Sequence, residues 1–371
     1  MQEPLHYVGR ITISQVMLDG KKEVDNMALD LEYTAEILAE TTGMSESDWL
    51  EYRRQGIGGS DAAAVLGVSP YTTARDVYFQ KIGREPDQLE EANWVALEYG
   101  RRLEDLVAEI FARKTGFRIW KEPVMLRHPR YPFMIADTDY LIEMPDGKTA
   151  VLECKTGSIY TKENWENDAV PYQYEVQCRH YMAVKNVDTA FIACLFGNSE
   201  NDFIYRKIER DLDFEESMIE QEEFYWSEYV DKRAEPPLYG SGDMILNSLK
   251  RYRARNSGKA EILFDSTESA VLEQILQMKS EKSKADKASR ELDGKIKTLY
   301  ARFAAALGSA IHGRCVAADG SEYLISYKPS VRTAVSKENL EKMKLNDTEM
   351  YEKYATSTEI KQFQVKKIKG A

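Results

Sequence analysis

Residues 133–157 read FMIADTDYLIEMPDGKTAVLECKTG. Two apolar, β-rich runs flank Pro145-Asp146-Gly147, a turn in which proline presets φ and glycine accepts positive φ. A hairpin centred on Asp146 sets residue 139 opposite 153 and residue 137 opposite 155. Opposed residues on one face of an antiparallel pair have Cβ atoms roughly 4.5–5.5 Å apart. Period-2 alternation places Glu153 and Lys155 on one face, and Leu152 and Cys154 on the other. The hairpin therefore gathers two carboxylates and an ammonium on one small patch of a strand that is apolar behind. Acids clustered on such a strand need compensation. A solvated polar face with a cross-strand Asp137–Lys155 ion pair is the plainest form it can take; a bound cation is the other.

Composition narrows the field. The chain has 371 residues, 43% hydrophobic and 30% charged, which suits a globular protein of two or three domains. No run of about 18 apolar residues is present, so a membrane span is not expected. The N-terminus MQEPLHYVGR lacks the basic and apolar regions of a secretory signal. Four cysteines (Cys154, Cys178, Cys194, Cys315) are scattered without zinc-ligand spacing, and the four histidines are unclustered. Reduced thiols in a cytoplasm are the expectation. The net charge of -12 argues against binding nucleic acid over the whole surface and confines any such contact to a groove or channel.

Four regions follow from the pattern along the chain. Residues 1–44 read as an N-terminal appendage, with a β-like stretch (ITISQVML) and a helical one (NMALDLEYTAEILAE). Residues 45–235 hold the candidate chemistry. There, RRQGIGGSDAAAVLG runs from a Gly-rich turn into an Ala-rich helix for which Ser60 is the expected N-cap. A helix over about 91–115 carries Leu103, Leu106, Val107, Ile110 and Phe111 as its apolar stripe, with Glu104 on the flank. A later helix sets Tyr174, Gln177 and Tyr181 on one face. Residues 236–265, with Pro236-Pro237 and Gly240-Ser241-Gly242, read as a linker. Residues 266–371 read as a coiled-coil-like helical region with a small β element. Its long helix over 266–307 has small or apolar residues at 285, 288, 292, 296, 299, 303 and 306, and Gly294 is a possible break. A hairpin turning at Asp319-Gly320 and a lysine-rich tail follow.

Phosphodiester hydrolysis needs an activated water, a clamp on the non-bridging oxygens and help for the leaving oxyanion, all of which carboxylate-held Mg²⁺ can supply. Mg²⁺ takes oxygen ligands and keeps several waters. Asp139, Glu153 and the backbone carbonyl of Cys154 are candidate ligands, and Glu104 could complete the set from a facing helix. Lys155 could hold or deprotonate the attacking water, with a pKa lowered by a neighbouring metal. A Gly-rich turn at a helix start makes Arg53 and Ser60 a candidate anion site. Gln177 matters only if it lies beside the carboxylates.

The ordered set Arg53 and Ser60, Gly100-Arg-Arg-Leu-Glu104, Asp139, Glu153-Cys-Lys155 and Gln177-Cys-Arg-His-Tyr-Met182 resembles the YqaJ-type viral recombinases. These are the phage lambda exonuclease-like branch of the PD-(D/E)xK nucleases, and the resemblance covers about residues 45–200. It implies an α/β fold, a PD-(D/E)xK nuclease core with a central mixed β-sheet flanked by helices, plus the helical C-terminal extension. It also implies two Mg²⁺ ions (Mn²⁺ able to substitute) and 5′→3′ digestion of linear duplex DNA. Glu104, Asp139, Glu153 and the Cys154 carbonyl would hold metal, Lys155 would be the catalytic lysine, and Gln177 would orient groups in the site. Arg53 and Ser60 would grip the terminal 5′-phosphate. A ring-like homo-oligomer, commonly a trimer, a single-strand annealing partner and a bacterial host cytoplasm complete the implication. The chain departs from the family where Asp139 is followed by Tyr140 rather than glycine, and Asp137 leaves open which acid leads. An endonuclease of the same fold and a non-catalytic DNA-end-binding scaffold are the alternatives.

Overall fold

Pro145-Asp146-Gly147 does turn an antiparallel hairpin: Tyr140 faces Leu152, Leu141 faces Val151, Ile142 faces Ala150 and Glu143 faces Thr149. Gly147 has φ of +81° and its N–H donates to the Met144 carbonyl at 2.9 Å, the conformation for which glycine is needed. The computed structural model describes residues 29, 31–86, 94–252, 263–327 and 336–354. The chain divides into two compact units, Met1–Ser257 and Gly258–Ala371.

The first unit opens with β1 (Glu36–Glu40), α1 (Glu46–Arg53), α2 (Gly59–Val65), α3 (Ala74–Lys81) and α4 (Trp94–Thr115). Then come β2 (Arg118–Trp120), β3 (Val124–Arg127), β4 (Ile135–Ala136), β5 (Tyr140–Glu143) and β6 (Thr149–Gly157). Helix α5 (Tyr172–Lys185), β7 (Thr189–Phe196), β8 (Phe203–Glu209), α6 (Leu212–Tyr225) and α7 (Gly242–Tyr252) complete it. The main sheet has the order β2-β5-β6-β7-β8; β6 and β7 run parallel across α5, and the other pairs are antiparallel. A parallel pair needs such a crossover, and here it brings α5 onto the sheet.

Alternation along β6 divides the core in two. Leu152 packs with Ile142, Ala193 and the Val107, Ala108 and Phe111 face of α4. Val151, Ile192 and Cys194 look the other way, into a core shared with α2, α3, α5 and α6. The central mixed sheet flanked by helices is thus present. The stripe of α4 is rotated from the expected one: Leu106 is exposed and Leu103 half-buried, while Ala108 is fully buried.

Two other expectations are corrected. Residues 36–40 pair with β3 as a strand in the small β1-β3-β4 sheet, so this part of the 1–44 appendage is neither helical nor detached; ITISQVML lies outside the described residues. Residues 242–252, read as linker, form α7. It docks on α3, with Tyr252 stacked on Phe79 at 4.4 Å and Arg251 paired to Asp76 at 2.9 Å.

In the second unit Ser266–Leu307 is one helix, α8, capped by Asp265 and unbroken at Gly294. Its stripe becomes a regular heptad when Ser289 replaces Ala288, giving 285, 289, 292, 296, 299, 303 and 306. The hairpin β9 (His312–Val316) and β10 (Glu322–Ser326) forms at Asp319-Gly320, followed by α9 (Lys337–Asn346) and α10 (Thr348–Tyr354). The lysine-rich tail lies outside the described residues. Among the described residues no helix is long and apolar enough to cross a membrane.

Candidate active site

The register that pairs Tyr140 with Leu152 brings Asp139 opposite Glu153 at the mouth of the hairpin. Asp139 accepts the Cys154 N–H at 2.8 Å. Glu153, only 2% exposed, accepts from Lys155 Nζ at 2.5 Å and from Gln177 Nε2 at 2.7 Å. Gln177 Nε2 also donates to the Tyr181 hydroxyl at 3.0 Å, and the Lys155 ammonium lies 5.1 Å from the centre of the Tyr174 ring. The Tyr174, Gln177, Tyr181 face of α5 is thus the wall over the Glu153 side of β6. Glu104 approaches from α4, held by Lys121 at 3.0 Å.

Asp137 does not face Lys155. The chain leaves the ladder between β4 and β5, and Asp137 accepts instead from Trp49 Nε1 at 2.7 Å. The cross-strand Asp137–Lys155 ion pair is therefore absent, and Asp139 is the acid beside Glu153.

Burial and like charge act together on these groups. Burial, then the Glu153 and Glu104 carboxylates, push the Asp139 carboxyl well above the usual range. Burial also raises Glu153, with Lys155 opposing it. Burial alone would lower Lys155, but Glu153 and Asp139 outweigh it and hold the ammonium above its ordinary value. The Cys154 thiol is driven well up, chiefly by burial, and stays protonated.

A cleft of about 390 Å³ opens beside this group, lined by Arg53, Trp49, Glu104, Lys121, Asp137 and Asp139 among others. Arg53 lies over the Trp49 ring, 5.1 Å from its centre. Its Nη2 donates to Ser60 Oγ at 3.0 Å and to Asp61 Oδ2 at 2.9 Å. Both bonds come from one nitrogen, leaving Nε and Nη1 as donors. Ser60 is not the N-cap: the helix begins at Gly59 with Gly58 as cap, and Asp61 accepts the Gly58 N–H at 3.0 Å.

The glycines of Gly56-Ile-Gly-Gly59 serve close packing. A Cβ on Gly56 would meet Ile135 Cγ2 at 2.7 Å, one on Gly58 the Arg53 guanidinium at 3.0 Å, and one on Gly59 the Tyr181 ring at 2.5 Å. None has positive φ.

Asp61 and Lys81 escaped the sequence reading. Lys81 Nζ, 2.7 Å from Asp61 Oδ2 and 2.8 Å from the Arg53 carbonyl, is almost fully buried. The Gly58-to-Asp61 capping spacing could have pointed to Asp61; nothing local marks a lysine twenty residues on.

The carboxylates form an all-oxygen donor set of the kind hard divalent cations prefer. Glu153 Oε2 is buried and receives no N–H donor; its neighbour there is the Asp139 carboxyl, with which Glu153 can share a proton, and Glu104 acts electrostatically on both acids. Among the described residues no three acidic, histidine or cysteine side chains already converge on one point as ligands. The chemistry of the donors, all oxygen with one buried carboxylate oxygen lacking a donor, suits such an ion even though the side chains do not yet converge.

Residues 48–189 match the YqaJ-like viral recombinase domain. The uncharacterized protein YqaJ of Bacillus subtilis (strain 168) is 31% identical over 336 residues, spanning 90% of this chain and 98% of that protein. Among solved structures, an alkaline exonuclease (LHK-Exo) from Laribacter hongkongensis aligns with a TM-score of 0.42 at 17% identity, over 50% of this chain and 93% of its own. A phage-related exonuclease from Haemophilus somnus 129PT aligns with a TM-score of 0.34 at 14% identity, over 48% of this chain and 96% of its own. The near full-length identity to YqaJ, joined to the domain match over the residues that build this site, means that the chain belongs to the YqaJ-like viral recombinase family.

Proposed function

We propose that the protein is a Mg²⁺-dependent nuclease that degrades linear double-stranded DNA 5′→3′ from 5′-phosphorylated ends during homologous recombination. The observation that carries this reading is the pairing of Glu153, buried with one oxygen unsatisfied, with a cleft one wall of which is Arg53. Bound at Glu104, Asp139, Glu153 and the Cys154 carbonyl, two Mg²⁺ ions would supply Lewis acidity and an activated water.

The chain's own groups do the rest. Lys155, bonded to Glu153, would hold the attacking water or move its proton. Gln177 keeps the Glu153 carboxylate oriented by donating to Oε1. Arg53, held by Asp61 and Trp49 on the cleft wall, would offer its guanidinium to a terminal phosphate, with Ser60 at its side. Contact with DNA confined to this cleft would be compatible with the net charge of -12. A ring-shaped homo-oligomer and an annealing partner belong to the same reading.

Incubation with Mg²⁺ and linear or covalently closed duplex tests it. Nucleotide release from the linear form alone is expected, lost in Glu153→Ala and Lys155→Ala. Equal cutting of the closed circle would favour the endonuclease. Calorimetry showing no Mg²⁺ or Mn²⁺ binding would favour the scaffold.

A further inference from the structure

We infer that a second groove, at the start of α4, is a stacking site for unpaired bases of the strand being cut. The inference rests on the nuclease reading above and concerns residues outside the carboxylate group. The groove has a volume of about 790 Å³ and is lined by Trp94, Val95, Tyr99, Thr156, Gly157 and Ile159, among others. Trp94 and Tyr99 are 66% and 44% exposed, on a chain whose net charge is -12. Apolar surface of this kind, gathered in a concavity, marks a binding site.

The occupant follows from continuity with the catalytic group. Thr156 and Gly157 directly succeed Lys155 on β6. Gly100, next to Tyr99, lies against Thr156, with a Cβ position 3.6 Å from Oγ1. Here α4 runs alongside β6, and Glu104, one turn further on, acts on the carboxylates. From Trp94 to Glu104 the helix rises roughly 15 Å, a span of two or three nucleotides. One helix thus carries an acid to the catalytic cleft and two aromatic rings to the groove.

Charge fits as well. Arg101 and Arg102, two and three residues after Tyr99 and about three-quarters exposed, are bonded to Glu98 in surface pairs. Such pairs hold weakly and yield to a phosphate. Aromatic rings beside guanidinium groups are the surface on which single strands stack without sequence preference. With Arg53 gripping the 5′ end in the first cleft, bases 3′ of the scissile bond would lie in this groove.

Binding by the full-length Glu153→Gln protein provides the test, because it separates binding from cutting. Oligothymidylate and a duplex with an unpaired 5′-phosphorylated end are the probes. Trp94→Ala and Tyr99→Ala should each weaken binding of both by roughly tenfold, with Trp94→Phe restoring most of it and a fully paired duplex end little affected. Oligothymidylate should quench tryptophan fluorescence clearly more in the parent than in Trp94→Phe, where Trp49 of the first cleft remains. Unchanged affinity and quenching in the Trp94 and Tyr99 variants would overturn the groove while leaving nuclease activity standing. Trp94-dependent quenching in a wild-type protein that cuts no DNA would do the reverse.

Discussion

Gly59 and Tyr181 lie so close that a Cβ on the glycine would sit 2.5 Å from the ring's Cε1. Through this contact the helix that follows Arg53 rests on the residue whose hydroxyl receives Gln177, the partner of Glu153. The two halves of the site share one packing plane. Tyr181 is only 4% exposed and has no room to withdraw. Gly59→Ala should therefore cost about 1–3 kcal/mol, read as a lower urea midpoint at constant m-value, and should depress nuclease activity. Gly294→Ala, in an exposed helix interior with nothing within 4 Å, should instead stabilise the second unit by about 1 kcal/mol.

Asp61 compensates the buried Lys81 and the half-buried Arg53. Burial alone would raise its carboxyl, but Arg53 and Lys81 hold it far below the ordinary value. A depressed carboxyl contributes stability above its unfolded value, and that contribution is lost as pH falls through the folded one. Asp61→Asn should destabilise by about 3–5 kcal/mol, since it strands Lys81 in the interior. Adding Lys81→Met should recover part of the loss, a non-additivity that a double-mutant cycle measures.

His128 offers a pH dependence with a clear sign. Its Nδ1 accepts the N–H groups of Arg130 and Tyr131, both at 3.1 Å, so the ring is held neutral. Burial, aided by nearby His180, Arg130 and Arg210, lowers its pKa to about 4. Between about 6.5 and about 4 the unfolded chain binds a proton that the folded chain does not. Stability should fall through that window as pH falls, and His128→Asn should flatten the fall. Urea titrations at several pH values compare the two slopes.

Gln177 donates to a charged, buried acceptor, and such bonds are worth about 1.5–3 kcal/mol. Gln177→Leu should lower turnover by roughly 10–100-fold with KM for DNA nearly unchanged. A KM effect alone would show that Gln177 serves binding rather than orientation of Glu153.

Local chemistry made the hairpin legible, because a Pro-Asp-Gly turn and strict alternation leave one register, and Asp139 with Glu153 follows from it. Gln177 beside Tyr181 was legible from helical spacing. The break after β4 was not: Asp137 obeys the same alternation, and only the pairing of β4 with β3 pulls it towards Trp49. Lys81 and α7 were hidden for a similar reason. Each is defined by partners far along the chain, Asp61 for the first and α3 for the second, and neither leaves a mark in its own neighbourhood.

The claim that the site acts on DNA ends rests on Arg53 and Ser60, and the 5′ terminus of the substrate interrogates them directly. Degradation rates should be compared, with Mg²⁺ present, on one linear duplex carrying either 5′-phosphate or 5′-hydroxyl ends, for the wild type and Arg53→Ala. The wild type should degrade the phosphorylated form at least tenfold faster, and Arg53→Ala should erase that preference. Equal wild-type rates on the two ends would contradict an end-gripping nuclease.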